Sequence, residues 1–275
     1  MEKPRSSTQH RTARIRAVCL VFIAFAGTGR AAEPVRISDA DALRIGKRIW
    51  QNESNGTVAG LTAWNAGENF ASLGIGHFIW YPQDVHGPFE ESFPKLLKFA
   101  REHNVAIPAW LSQSPACPWN SLAGFSSAQN SPQMRELRQF LSRTIDLQAQ
   151  FMVARLQQSL AKMLDEAAPA NRANIERQFA RVASTPHGCY ALVDYVNFKG
   201  EGVLRTERYR GEGWGLLQVL EQMHGSDNGP GAAREFSSSA AAMLRRRVQN
   251  SPPERHEARW LPGWLNRVHS YSENS

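Results

Sequence analysis

A carboxylic acid keeps its proton best in an apolar setting, where the charged form is disfavoured. Glu53 has such a setting within reach. Ile49 and Trp50 lie one helical turn before it, and an aromatic, glycine-containing stretch, Phe70 to Pro82, follows. An acid held this way can protonate a leaving oxygen, the step that a glycosidic bond requires before it breaks. An exposed glutamate at a helix end would read the same in local sequence. His77 is the one histidine beside this stretch, where a structural hydrogen bond is the simpler role. Trp80 and Tyr81, with Trp64 and Trp214, have flat faces suited to sugar rings, and each would serve equally as core.

The elements that must position these groups can be read from spacing. Ser38 is an N-cap, Asp39 and Asp41 place acid in the first turn, and Leu43, Ile45, Ile49 and Trp50 recur at helical spacing, so a helix is expected over about 39–53, ended by Asn55-Gly56. From Leu61 to Tyr81 the pattern is that of a small antiparallel sheet turning near 65–69, with Phe70–Pro82 read as a strand whose glycines admit a close neighbour. Phe89–His103 returns to a helical period. Residues 105–130 form a connecting segment that Trp110, Trp119 and Phe125 mark as packed. After Ser131-Pro132, Leu137, Leu141, Ile145, Met152, Leu156, Leu160 and Leu164 predict one helix of about thirty residues that bridges two lobes. Helical runs are then expected at about 168–183, 186–198, 213–224, 229–249, 252–259 and 262–270. The fold class is α+β, mainly helical, with segregated layers.

Three patches carry a family resemblance. Ser72-Leu73-Gly74-Ile75-Gly76-His77 is similar to the strand of phage-type lysozymes, the endolysin family, which follows a helix ending in the catalytic Glu. The run from Tyr190 to Glu201 looks like that family's buried helix with its Gly-Glu turn. Asn250-Ser251-Pro252-Pro253-Glu254-Arg255 resembles its bend between the last helices. The resemblance implies a lysozyme-like fold: a small N-terminal lobe with a β-hairpin or sheet (about 54–130) and a larger helical lobe (about 131–275 plus helix 38–53), joined by the long helix. It implies peptidoglycan glycan strands as substrate, Glu53 as general acid and Ser72 as the hydroxyl residue lining the cleft. Residues 83–130 have no counterpart in the family.

One departure alters the expected mechanism. Where the family pattern has an Asp, position 66 is Ala, and the acid between Glu53 and Ser72 is Glu68. Lytic transglycosylases, whose Glu-Ser motif Glu53-Ser54 resembles, use one Glu as acid and then base, closing an anhydro ring. Alternatively Thr62, Asn65 or Glu68 positions a water for hydrolysis. The reading is thus a glycosidase, lytic transglycosylase or muramidase. Its rival is a catalytically inactive lysozyme-like protein for glycan binding or envelope assembly. Gly215-Leu216-Leu217-Gln218 resembles a glycan-lining run of transglycosylases, or is simply a helix start.

Composition bounds the rest. With 275 residues, 42% hydrophobic and 21% charged, the chain can bury a sizeable core and does not resemble a disordered one. Lys3, Arg5, Arg11, Arg14 and Arg16 precede the apolar run Ala17–Gly27 and the small-residue exit Gly29-Arg30-Ala31-Ala32, which reads as a signal peptide over residues 1–32. The run is shorter than the roughly 20 residues that a bilayer needs. A periplasmic or secreted location follows, with residues 33–275 as a single domain.

Residues 1–32 hold six of the 32 basic residues and one of the 25 acidic ones, so the remainder carries 26 against 24, a net of +2. A nucleic-acid partner loses its support. A monomer without cofactor or metal is expected, since neither Cys117 nor Cys189 has ligand spacing. These two thiols form either a disulfide or an inert buried pair.

Overall fold

The computed structural model describes residues 37–87, 90–205 and 207–272. The signal-peptide reading of residues 1–32 lies outside them. The described residues contain eleven α-helices, a small three-stranded antiparallel sheet, a two-stranded hairpin and three 3-10 turns, so the mainly helical α+β expectation is met at that level. No helix among them is long and apolar enough to cross a membrane.

Helix α1 (Asp39–Ser54) begins where the Ser38 hydroxyl accepts from the Asp41 N–H, and Asp39 and Asp41 occupy its first turn. It ends at Asn55, whose left-handed conformation (φ 53°) returns its N–H to the Gln51 carbonyl. Ala42, Ile45 and Ile49 form its buried face. A three-stranded sheet follows, β1 (Thr62–Ala63), β2 (Ala71–Leu73) and β3 (Phe78–Trp80), paired in that order. Ala63 faces Ser72, and Ser72 faces Ile79.

The stretch read as one strand is therefore two. Gly74 (φ 72°) and His77 (φ 48°) adopt left-handed conformations that no strand permits, and they turn the chain between Leu73 and Phe78. The glycines do admit a close neighbour. A Cβ on Gly74 would lie 2.3 Å from Gln148 Oε1, and one on Gly76 would lie 2.7 Å from the Phe78 ring.

Helix α2 (Phe93–Glu102) buries Phe93, Leu96 and Leu97. The connecting segment carries α3 (Ala109–Gln113) and α4 (Leu122–Ser127), with Trp110, Trp119 and Phe125 in successive edge-on ring contacts at 6.3 and 5.3 Å. The expected thirty-residue helix is two, α5 (Pro132–Arg143) and α6 (Ile145–Glu166), separated at Thr144 (φ −118°, ψ 29°). Side chains answer the carbonyls there: the Thr144 hydroxyl donates to the Phe140 carbonyl at 2.8 Å, and the Gln148 amide donates to the Leu141 carbonyl at 2.7 Å.

Helix α7 (Pro169–Ala183) precedes α8 (Pro186–Lys199), whose residues from Gly188 to Tyr195 are all buried. A two-stranded hairpin, β4 (Arg208–Tyr209) and β5 (Glu212–Gly213), leads to α9 (Leu216–Gln222) and α10 (Pro230–Asn250). The helix expected at 252–259 is instead two short 3-10 turns, Pro253–Arg255 and Glu257–Trp260, because consecutive prolines at 252 and 253 remove amide donors at its start. Helix α11 (Leu261–His269) follows. One continuous hydrophobic core runs from Ala42 to Tyr271.

Candidate active site

Glu53 sits in the last turn of α1 with its side chain 14% exposed, at the edge of a cavity of about 290 Å³. The Gly76-His77 turn, Met152, Arg155 and Ser159 of α6, Asn197 of α8 and Glu201 just beyond it also line this space. Three elements remote in sequence hold the carboxylate. Arg267 Nη2 of α11 donates to Oε1 in a close ion pair, Asn197 Nδ2 donates to the same oxygen at 3.4 Å, and His77 Nδ1 lies 3.8 Å from Oε2.

Arg267 is shared with Asp194, which is fully buried in α8. Its Nε donates to Asp194 Oδ2 and its Nη2 to Oδ1, both at 2.8 Å, while the Tyr271 hydroxyl donates to Oδ2 at 2.6 Å. Two parallel charge-assisted bonds fix the guanidinium in one plane. Burial alone would lower the Arg267 pKa, but the Asp194 hydrogen bonds and charge, and then the Glu53 charge, outweigh it and raise it. Burial, followed by the Asp194 charge, pushes the Tyr271 phenol well above its ordinary value. One cation thus answers two carboxylates.

Of the residues singled out from sequence, Glu53 and His77 line this cavity and the others do not. Ser72 is 4% exposed on the middle strand. The Thr62 hydroxyl is taken up by Arg138 Nε at 2.9 Å and the Ala59 carbonyl at 3.3 Å, and so holds α5 to the sheet. Asn65 donates to the Glu68 carboxylate at 3.0 Å within its own turn. Neither side chain is brought to Glu53.

The aromatic residues are corrected as well. Trp80 is completely buried against the Phe93 ring, centroids 4.9 Å apart, and Tyr81 packs edge-on to Phe70 at 5.3 Å, so neither has a face open to a sugar. Trp64 donates its indole N–H to the Glu68 carbonyl, and Trp214 lies buried under the Arg247 guanidinium, 4.1 Å from the ring centroid. Cys117 and Cys189 are free and buried, and burial pushes both thiols up to about 12. No group of His, Cys, Asp and Glu suited to a metal ion occurs among the described residues.

Sequence reasoning missed Arg267, Asp194, Asn197 and the cleft position of Glu201. A signal existed for Asp194, a charge inside the apolar run Ala191-Leu192-Val193-Asp194-Tyr195-Val196, which demands a buried partner. Nothing local marks Arg267 as that partner. No family model, curated protein or solved structure matches the chain.

Proposed function

We propose that the protein is a secreted or periplasmic glycosidase of lysozyme-like architecture. It acts on the bond between N-acetylmuramic acid and N-acetylglucosamine in peptidoglycan, as a muramidase or lytic transglycosylase, with Glu53 as general acid. The observation that carries this reading is the Glu53 carboxylate at the edge of a cavity walled by the Gly74–His77 turn on one element and by α8 on another, the two patches that resemble phage-type lysozymes. A partly enclosed carboxyl beside a cavity that admits a substrate oxygen is what proton donation to a leaving group requires.

The ion pair between Arg267 and Glu53 favours a second reading. A carboxylate accepting from a guanidinium is not at that moment a proton donor, as in an inactive glycan-binding protein of the same fold. One experiment separates the two. Purified protein is run in a gel containing peptidoglycan beside Glu53→Gln, and the soluble products are weighed by mass spectrometry. Clearing that vanishes in the variant supports the enzyme; absence of clearing, or clearing indifferent to the substitution, rejects it. Anhydro ends mark transglycosylation and reducing ends mark hydrolysis.

A further inference from the structure

The turn that follows α8 is built with unusual closeness. Gly200 (φ 85°) and Gly202 (φ 81°) flank Glu201. A Cβ on Gly202 would lie 2.3 Å from Gln218 Oε1, and one on Gly215 would lie 2.2 Å from the Gly202 nitrogen, so only glycines fit where the two segments meet. The start of α9 grips this turn along its length. The Leu216 and Leu217 N–H groups donate to the Gly200 and Glu201 carbonyls at 3.1 and 3.0 Å. The buried Gln218 amide donates to the Gly202 carbonyl at 3.1 Å while its oxygen accepts from the Gly215 N–H at 3.0 Å. The Gly-Leu-Leu-Gln run is therefore a clamp on the residue between the two glycines.

The side chain of that residue lines the same cavity as Glu53. On α6 the Ser159 hydroxyl donates to Glu201 Oε1, and Lys162 Nζ lies 3.2 Å from Oε1 and 3.4 Å from Oε2. Burial and then the Glu201 charge raise the pKa of the neighbouring Glu207 carboxyl. The cavity shared with Glu53, about 290 Å³, has room for several waters at roughly 30 Å³ each. Two carboxyl groups lining one cavity that has room for water suit direct attack of water on a sugar carbon.

We propose that Glu201 is the second carboxylate of this cleft and acts as general base, making the reaction an inverting hydrolysis. This rests on the glycosidase reading of Glu53. Glu201 takes a proton from a water whose oxygen bonds to the anomeric carbon. The bond from that carbon to the bridging oxygen breaks, and Glu53 gives its proton to that oxygen. Water is thereby added across the linkage, and no other reactant is needed.

The test compares wild type, Glu53→Gln, Glu201→Gln and Glu201→Ala on purified peptidoglycan strands, with melting curves to establish folding. Glu201→Gln lowers kcat about 100-fold or more with KM nearly unchanged. Azide restores turnover to Glu201→Ala with formation of a glycosyl azide, which a structural role would not produce. Proton NMR of the wild-type product shows inverted anomeric configuration. Normal kcat in folded Glu201→Gln, a retained anomer or an anhydro end overturns the role of Glu201 while Glu53 dependence keeps the glycosidase reading. Loss of Glu53 dependence overturns both. If Glu201→Gln does not fold, azide rescue in Glu201→Ala and the product anomer decide the question.

Discussion

Gln148 Oε1 accepts the Ile75 N–H at 2.9 Å in the core, while its amide nitrogen serves the Leu141 and Thr144 carbonyls at the junction of α5 and α6. One side chain thus satisfies both the turn that carries His77 and the ends exposed by a broken helix. Gln148→Ala leaves these groups buried without partners and lowers unfolding free energy by about 2–4 kcal/mol. Urea denaturation measures it; a change under 1 kcal/mol would mean that water replaces the amide.

Asp194 and Glu53 share Arg267 but differ in burial, so their substitutions diverge. Asp194→Ala strands the guanidinium and the Tyr271 hydroxyl and costs about 3–5 kcal/mol, whereas Glu53→Gln leaves Arg267 compensated by Asp194 and melts close to wild type. Thermal melting of both variants checks the contrast. Equal losses would contradict the assignment of Asp194 as the principal partner.

Acid weakens the C-terminal helices through Glu257. Its burial works to raise its pKa, but hydrogen bonds from Arg247 and Tyr209, and then the Arg247 charge, hold it below the ordinary 4.5. A carboxylate with a folded pKa below the unfolded one stabilises fully above about pH 4.5, and this contribution is lost as pH falls through the lower, folded value. Glu257→Gln should therefore be less stable by about 2 kcal/mol at pH 7, with the gap to wild type closing towards pH 3. Parallel pH-dependent melts test this; a constant gap refutes it.

The buried thiols of Cys117 and Cys189 give a kinetic prediction. With both pushed up to about 12, little thiolate is present at pH 8, and native protein should react with a thiol reagent only as fast as it opens. Melting should be the same with and without reductant. Rapid modification of two thiols in native protein would place at least one of them outside the core.

Trp80→Ala should cost about 3–5 kcal/mol as a core truncation. Trp80→Phe should cost far less, because the indole nitrogen is buried without a hydrogen-bond partner. On the proposed glycosidase reading, binding of soluble glycan fragments by Trp80→Phe should match wild type, and a selective loss of binding would restore Trp80 to the site.

Local signals were legible. Ser38 as cap and Asn55 as stop bounded α1 correctly, and the tryptophans marked the connecting segment as packed. The break at Thr144 was not, since the leucine period continues across it and its carbonyls are answered by Gln148, whose other partner, Ile75, is 73 residues away. The turn at Gly74 was hidden because glycine serves a close contact and a positive φ alike. In the site, the neighbours of Glu53 did not separate it from an exposed helix-end glutamate and only the family resemblance singled it out, while Trp80 and Tyr81 could not be told from core by residue type. The cation on Glu53 belongs to an element with no local reason to meet it.

That cation also sets a time. Arg267 lies 214 positions after Glu53, and at roughly 5–20 residues per second of synthesis the guanidinium emerges on the order of ten seconds or more after the acid. Until α11 docks, Glu53 lacks its principal charge partner and Asp194 has no guanidinium to fix. The trio that holds Glu53 therefore assembles late, as the last helix closes against the first.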